Sequence, residues 1–231
     1  MSLDIFPTWI SPYDWYQPGD KKHQTKNLVL DVDETMVRTM DDIEDLKELR
    51  LKSDPRYLPL RKRIYDFWID DPETGQKEHV WGITRPHLWE FLTFSQRYFK
   101  NVFVWSSGNK PYVHAVCDFL WQDLSLPRDI LTADNCFVNP KTQTYGKPLK
   151  ILYDMHQDIY PEDTIIIDDL EKNLKHNKDN GILIPQYKPE AIIKDLNKDD
   201  FSLLDIIDFL SRPGVKNCND IRLFDKTKIF N

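Results

Sequence analysis

Four short apolar runs constrain the fold of this chain more than any other feature of its sequence. Each is four or five residues long and rich in aliphatic side chains, and they cover residues 27–31, 101–105, 164–167 and 181–184. Continuous apolar runs of this length are typical of parallel strands that are covered on both faces. Stretches with helical spacing separate the runs. The sequence therefore predicts an α/β fold, with a Rossmann-like parallel sheet and helices on both faces.

Polar residues end three of these predicted strands. Asp31 closes the first run, Ser106 follows the second, and Asp168 and Asp169 follow the third. In open α/β sheets, ligands bind beyond the carboxyl ends of the strands. We therefore expect these side chains to converge on one site.

The first strand ends in a pair of carboxylates, Asp31 and Asp33. Carboxylates this close repel each other unless one is protonated or a cation lies between them, and Mg²⁺ prefers oxygen ligands. In a phosphate-handling site, Asp31 could attack phosphorus as a nucleophile, while Asp33 could protonate the leaving oxygen and then deprotonate water. Taken alone, such a pair is also typical of a solvated acidic turn.

Three further features fit the same chemistry, although each has an ordinary structural explanation. Ser106 and nearby N–H groups could bind a phosphoryl oxygen, and Lys147 could neutralise its charge. Asp168 and Asp169 could bind a metal, or could serve as a helix N-cap ahead of Glu171. The joint pattern, in this order and at strand ends, predicts a magnesium-dependent phosphate-handling site.

Several motifs resemble those of the haloacid dehalogenase (HAD) superfamily. The segment LDVDETMV at residues 30–37 carries the first motif, and its DxDET form is similar to the branch of RNA polymerase II C-terminal-domain (CTD) phosphatases and their small, NLI-interacting factor-like relatives. Other segments similar to that branch lie at residues 84–92, 104–107, 145–149, 167–169 and 203–210. The resemblance covers residues 27–223, nearly the whole chain.

The resemblance implies an Mg²⁺-dependent phosphatase that forms an aspartyl-phosphate and acts on phosphoserine or phosphothreonine in proteins. It implies a HAD-like domain over residues 27–231, with a β-hairpin insertion after the first motif at about residues 40–83. Residues 1–26 are rich in proline, aromatic and polar residues without a clear period, which predicts an irregular arm. We expect the following site residues: catalytic Asp31, Asp33, Ser106 and Lys147; substrate-binding Thr35, Ser106 and Lys147; metal-binding Asp31, Asp33 through its backbone carbonyl, Asp168 and Asp169.

The chain departs from the branch at two motif positions and in the form of its second motif, which is atypical over residues 105–108. Arg38 stands where the branch has a histidine, and Asp169 stands where it has an asparagine. The second acid predicts a more anionic metal site that still binds Mg²⁺.

The predicted hairpin has strands at residues 63–69 and 76–83, joined by a turn at residues 70–75. Its aromatic residues are Tyr65, Phe67, Trp68 and Trp81. Tyr65 and Phe67 should share one face of the strand, with Trp68 on the other. These rings could form a groove for a peptide, or could fill a small core of the hairpin itself.

Two other functions remain open at this stage. The same chemistry would serve a phosphatase for a small phosphometabolite or for a nucleic-acid 3′-phosphate end. A non-catalytic scaffold of the same fold is the third hypothesis, since some members of the branch act in this way.

Composition limits the partners and the compartment. The net charge of −7 disfavours nonspecific binding to nucleic acid, which repels an acidic surface. Three scattered cysteines fit a reducing compartment. The first residues show no signal-peptide pattern, and no run approaches the length of a membrane span. We expect an intracellular protein, cytoplasmic or nuclear and neither secreted nor membrane-bound, with a phosphorylated protein or peptide as its partner.

Overall fold

The computed structural model of the chain describes residues 25–40, 42–51, 55–70 and 74–230. Most of the irregular arm predicted over residues 1–26 lies outside the described residues, as does the middle of the predicted hairpin turn.

Ten strands and nine helices are found in the described parts of the chain. The strands are β1 Asn27–Leu30, β2 Val37–Met40, β3 Ile64–Asp70, β4 Lys77–Thr84, β5 Asn101–Trp105, β6 Asp129–Leu131, β7 Phe137–Val138, β8 Tyr145–Gly146, β9 Thr164–Asp168 and β10 Gly181–Leu183. The helices are α1 Ile43–Glu48, α2 Leu58–Arg61, α3 Leu88–Tyr98, α4 Lys110–Leu120, α5 Leu149–Met155, α6 Glu171–Leu174, α7 Ile193–Leu196, α8 Ser202–Ser211 and α9 Pro213–Lys216.

The central sheet is parallel, with strand order β10-β9-β1-β5-β6. Its three middle strands begin as the first three apolar runs predict, and β1 lies between β5 and β9. The predicted α/β fold with a Rossmann-like parallel sheet is confirmed.

Alternation along the strands divides the core into two layers. One layer joins one face of the sheet, including Leu28, Val104 and Ile167, to α3, α4 and α8. The other layer joins the opposite face, including Val29 and Trp105, to α5 and α6. Both faces are covered, which explains why the strand sequences are apolar throughout rather than alternating.

A second, antiparallel sheet follows the first motif, and we call it the inserted sheet. Its strand order is β2-β4-β3, and β3 and β4 form the predicted hairpin. The sequence analysis missed β2, which pairs with β4 and gives the hairpin a third strand. One face of the inserted sheet packs on α4, and the other covers a small core that contains Trp81, Ile83 and Leu60.

Two helix starts differ from what the local sequence suggests. A proline such as Pro86 is typical of a first helical position, but α3 begins at Leu88, because His87 has a left-handed backbone (φ 61°) that a helix cannot include. The N-cap of α6 is Leu170, without a side-chain hydrogen bond, so neither Asp168 nor Asp169 is its capping residue. No helix in the described ranges has both the length and the apolar character to cross a membrane.

Candidate active site

The strand register brings the predicted acids together. Leu30 on β1 pairs with Ile167 on β9 and with Val104 on β5. Asp31 and Asp168 therefore leave neighbouring strands side by side, and the backbone N–H of Asp31 donates to Ile167 O at 3.0 Å. Ser106 leaves β5 on the other side of β1, so the three predicted strand ends meet at one edge of the sheet.

Lys147 lies between two of these carboxylates and is fully buried. Its ammonium group donates to Asp31 Oδ1, and to Asp168 Oδ2 at 2.8 Å. Burial alone would lower the pKa of Lys147, but the charges of Asp31 and Asp168 raise it above its ordinary value. The ammonium group is therefore held in its charged form.

Asn177 fixes the backbone on both sides of Pro148, just before α5. Its amide Nδ2 donates to the carbonyl of Lys147 at 2.6 Å, and its Oδ1 accepts from the N–H of Leu149 at 2.9 Å. The position of Lys147 is thus set by a buried side chain thirty residues further along the chain.

Asp31 is held at both of its oxygens. The Thr35 hydroxyl donates to Oδ2 at 2.8 Å, and Lys147 donates to Oδ1. Burial raises the pKa of Asp31 well above its ordinary value, Asp168 and Asp33 add to the rise, and Lys147 opposes it. A carboxylate this desolvated needs positive charge nearby to remain ionised.

Asp168 and Asp169 complete an acidic group with Asp31. Each of the three residues offers one carboxylate oxygen within 4.8 Å of the others. Asn173 donates to both oxygens of Asp168 at 2.9 and 3.0 Å, and Gln186 donates to Asp169 Oδ2 at 2.7 Å. These contacts orient the acids, and Asp168 accepts in addition from the backbone N–H of Leu170 at 2.9 Å and from Lys147, so each of its oxygens has two donors.

The three oxygen ligands fit Mg²⁺. A hard divalent cation takes carboxylate oxygens, and it would offset the acids that the single ammonium of Lys147 leaves uncompensated. Burial raises the pKa of Asp169 above its ordinary value, and the hydrogen bond from Gln186 opposes the rise.

Asp33 points away from this group. Its Oδ2 accepts from the Ser106 hydroxyl at 3.3 Å, and its Oδ1 accepts from the phenol of Tyr112. Burial raises the pKa of Asp33 above its ordinary value, against the opposing hydrogen bond from Tyr112. A raised pKa suits a group that must carry a proton and then give it up.

All the predicted site residues lie near this edge of the sheet. Their catalytic, substrate-binding and metal-binding roles stay predictions, including the metal role of the Asp33 backbone carbonyl and the phosphoryl contact of Thr35. The sequence analysis missed the residues that hold them: Tyr112, Asn173, Asn177 and Gln186. Of these four, only Asn173 could have been found from the sequence, because it stands near the start of the helix after the two acids.

Comparison with protein families decides which family this site belongs to. The model of the NLI interacting factor-like phosphatase family matches residues 26–222. The chain belongs to this family. The match includes the three strand ends, Lys147 and the inserted sheet, so membership identifies the chain as a HAD-type phosphatase by family and fold.

Individual proteins similar to this NLI interacting factor-like phosphatase are also described as CTD phosphatases or CTD phosphatase-like. A putative CTD phosphatase-like protein of Invertebrate iridescent virus 3 is 25% identical over 197 residues, covering 80% of this chain and 95% of the viral protein. Fission yeast Fcp1, an RNA polymerase II CTD phosphatase solved with beryllium fluoride, matches 72% of this chain with 21% identity and a TM-score of 0.58. Another structure of Fcp1, described as essential, matches 82% with 19% identity and a TM-score of 0.59.

The likeness to Fcp1 is one of fold. This chain covers 43% and 50% of the two Fcp1 chains. The likeness confirms the predicted fold class.

Proposed function

We propose that this protein is a magnesium-dependent phosphatase that acts through an aspartyl-phosphate on Asp31. A carboxylate oxygen of Asp31 attacks phosphorus as the bond to the leaving oxygen breaks. Asp33, in its acid form, gives its proton to that oxygen. Lys147 and Ser106 offer donors to the phosphoryl oxygens during the transfer.

The second half of the reaction uses the same residues. Asp33, now a carboxylate, takes a proton from a water molecule, and the resulting hydroxide attacks the phosphorus of the aspartyl-phosphate. The acyl-phosphate bond breaks, inorganic phosphate leaves, and Asp31 is restored. One residue can serve as acid and then base because the first step leaves it in the form that the second step needs.

Asp31, Asp168, Asp169 and the backbone carbonyl of Asp33 would hold the metal. When bound, Mg²⁺ supplies positive charge that stabilises the negative phosphoryl oxygens. The chain's own part is to fix these ligands, and Thr35, Asn173 and Gln186 do so through the hydrogen bonds described above.

One observation carries the proposal. A fully buried lysine bridges two buried carboxylates at the carboxyl ends of adjacent parallel strands, and a third carboxylate lies beside them. Burying this many charges costs stability, and apolar residues of similar size would fill the space at lower cost. A charged cluster that the fold does not need favours a functional role.

The proposal is tested by hydrolysis of p-nitrophenyl phosphate with and without Mg²⁺. Asp31→Asn keeps the volume of the side chain and removes the nucleophile, so we expect kcat to fall by at least about 10³-fold. The exposed Asp154→Asn serves as the matched control and should keep wild-type activity. Equal activity in wild type and Asp31→Asn would contradict the covalent mechanism.

We also propose phosphoserine or phosphothreonine in a protein as the substrate. Two features support this class: the CTD phosphatase-like relatives, and an aromatic side chain, Trp68, that is 62% exposed on the inserted sheet. A wild type that prefers sugar phosphates or phosphorylated oligonucleotides to phosphopeptides would contradict it.

A further inference from the structure

A line of hydroxyl groups runs from the inserted sheet to Asp33. The phenol of Tyr112, on α4, bonds to Asp33 Oδ1. Thr39 Oγ1, on β2, lies 2.5 Å from the Tyr112 oxygen. The hydroxyl of Tyr65, on β3, lies 2.6 Å from Thr39 Oγ1. The line thus links β3, β2 and α4 in turn, and Tyr112 joins it to one carboxylate oxygen of Asp33.

The direction of every hydrogen bond in this line follows from counting hydrogens. Asp33 Oδ1 only accepts when the carboxylate is ionised, and also when the acid proton lies on Oδ2, so in both states the single hydroxyl hydrogen of Tyr112 is donated to Asp33. Thr39 must then donate to Tyr112, and Tyr65 must donate to Thr39. The line is therefore oriented from Tyr65 to Asp33.

This orientation distinguishes the two oxygens of Asp33. Oδ1 is taken by Tyr112, whereas Oδ2 faces the Ser106 hydroxyl at 3.3 Å, on the side of the strand ends. We propose that Tyr112 is a positioning residue that keeps Asp33 turned so that Oδ2 carries the acid proton toward the leaving oxygen. The inference rests on the proposed phosphatase mechanism and adds a residue to it.

Two glycines leave the room that this line needs. Gly82 on β4 is the register partner of both Thr39 and Tyr65, and the Tyr65 ring crosses over it. A Cβ at Gly82 would lie 2.3 Å from the Tyr65 hydroxyl oxygen and 2.7 Å from the carbonyl oxygen of Arg38. A Cβ at Gly108 would lie 2.8 Å from Cδ1 of the Tyr112 ring.

Core packing alone would not need the hydroxyl groups. Tyr65 stacks on Phe67 with ring centroids 5.3 Å apart and packs on Phe119 of α4. A phenylalanine would make the same ring contacts without burying a polar atom. Within the part of the chain that the structure describes, the hydroxyl groups find their partners in one another and in Asp33.

The test compares Tyr112→Phe with wild type on p-nitrophenyl phosphate and phenyl phosphate, which differ only in the nitro group. Nitrophenolate is stable enough to leave without a proton, whereas phenolate is more basic and needs the acid. The ratio kcat/KM is used because it reports phosphoryl transfer to Asp31 and excludes the later hydrolysis. We expect kcat/KM for phenyl phosphate to fall at least about tenfold, and for the nitrophenyl ester less than about threefold.

Two further variants are compared with Tyr112→Phe, one as a control and one as a second change to the line of hydroxyl groups. Tyr98→Phe removes a buried hydroxyl that donates to Leu210 O at 2.8 Å. This hydroxyl lies at the opposite end of β5 from the site, so kcat/KM for both esters should stay unchanged. Tyr65→Phe removes the far hydroxyl of the line without touching Asp33 or Tyr112, and should repeat the selective loss in weaker form. Both variants and Tyr112→Phe are checked for folding by circular dichroism and by their urea midpoints.

The outcomes separate the two proposals. A wild type that hydrolyses both esters, with equal losses or none in a folded Tyr112→Phe, would overturn the positioning role and leave the phosphatase standing. A wild type inactive on both esters with Mg²⁺ present would overturn the proposed function and this inference with it.

Discussion

Lys147 is a charged residue in a fully buried environment. Its ammonium group is buried between Asp31 and Asp168, and Asn177 holds its backbone. Without this cation, two buried carboxylates would face each other with no compensating charge. The stability of the metal-free protein should therefore depend on this one side chain.

We predict that Lys147→Met lowers the free energy of unfolding by about 3–5 kcal/mol without metal, the usual cost of leaving a buried charge unpaired. Mg²⁺ should restore part of this loss and should stabilise the variant more than the wild type, because the cation compensates the same carboxylates. Urea unfolding in EDTA and in Mg²⁺ measures both effects.

The matched control is Lys150→Met. Lys150 pairs with Asp154 on the surface of α5, with both side chains mostly exposed, and such pairs contribute less than about 1 kcal/mol. If Lys147→Met were no less stable than this control, or did not respond to Mg²⁺, the charge balance described for the site would be wrong.

The sequence could predict the site residues that lie at the carboxyl ends of the parallel strands. Asp31, Ser106 and Asp168 follow apolar runs, so parallel pairing brings them together whatever the loops do. Tyr112 and Asn177 could not be predicted in this way. Their contacts depend on how α4 and the turn after α6 lie against the strands, and no local sequence pattern encodes that angle.

At the level of elements, the structure shows which aromatic residues of the inserted sheet fill a core and which are exposed. Tyr65 and Trp81 are buried and Phe67 is partly buried, so these three fill cores. Trp68 points to the opposite face from Tyr65 and stacks on His79 with centroids 4.4 Å apart. Among the four, only Trp68 offers a ring to a peptide.

We predict that Trp68→Ala changes stability by less than about 0.5 kcal/mol, because the ring is mostly exposed. If the inserted sheet binds the substrate, KM for a phosphoserine peptide should rise by about three- to tenfold through the loss of apolar contact, while kinetics on p-nitrophenyl phosphate stay unchanged. Steady-state assays on the two substrates distinguish these effects.

Tyr160→Ala is the control for this variant, since Tyr160 is also an exposed aromatic residue but lies before β9, away from the strand ends. A peptide KM that is the same in wild type, Trp68→Ala and Tyr160→Ala would exclude Trp68 from substrate binding.

The predicted strands also show that local sequence patterns do not reveal features that depend on tertiary contacts. The hairpin strands were predicted closely, because alternation of side chains is a local signal. β2 was missed because Val37–Met40 is short and polar in part, and it becomes a strand only by pairing with β4. Tertiary pairing, rather than propensity, decides such segments.

At the level of the whole molecule, Arg85 joins the inserted sheet to the α/β core. It is fully buried at the end of β4 and donates to both oxygens of Asp200 at 2.9 Å, to Pro185 O at 2.8 Å and to Thr35 O at 3.3 Å. One side chain therefore ties together the inserted sheet, the first motif and the segment before α8.

We predict that Arg85→Met lowers the free energy of unfolding by about 2 kcal/mol or more at pH 7. Burial alone would raise the pKa of Asp200, but the hydrogen bonds and charge of Arg85 lower it below its ordinary value. Its contribution is present above the unfolded pKa of about 3.9 and is lost as pH falls through the lower folded pKa. The difference between wild type and variant should thus shrink toward about pH 3.

Urea unfolding at the two pH values checks this prediction. Arg212→Met, which removes the exposed pair with Asp208 on α8, should change stability by less than about 1 kcal/mol at both. A difference for Arg85→Met that grows on acidification would contradict the assigned pairing.

The layered architecture was predictable from the sequence, because apolar strands that alternate with helices have few other stable arrangements. The strand order β10-β9-β1-β5-β6 and the coupling of the inserted sheet to α4 were not. They depend on contacts such as Thr39 with Tyr112, between residues that lie 73 positions apart in the chain.

The most direct test of the central claim is to trap the phosphorylated enzyme. Wild type is mixed with excess p-nitrophenyl phosphate and Mg²⁺, quenched in acid within a turnover, digested and analysed by mass spectrometry. The mechanism predicts a phosphoryl group on the peptide that contains Asp31, lost on treatment with hydroxylamine and absent from Asp31→Asn. A phosphoryl group on any other residue, or turnover with no phosphorylated enzyme at any time, would contradict the account.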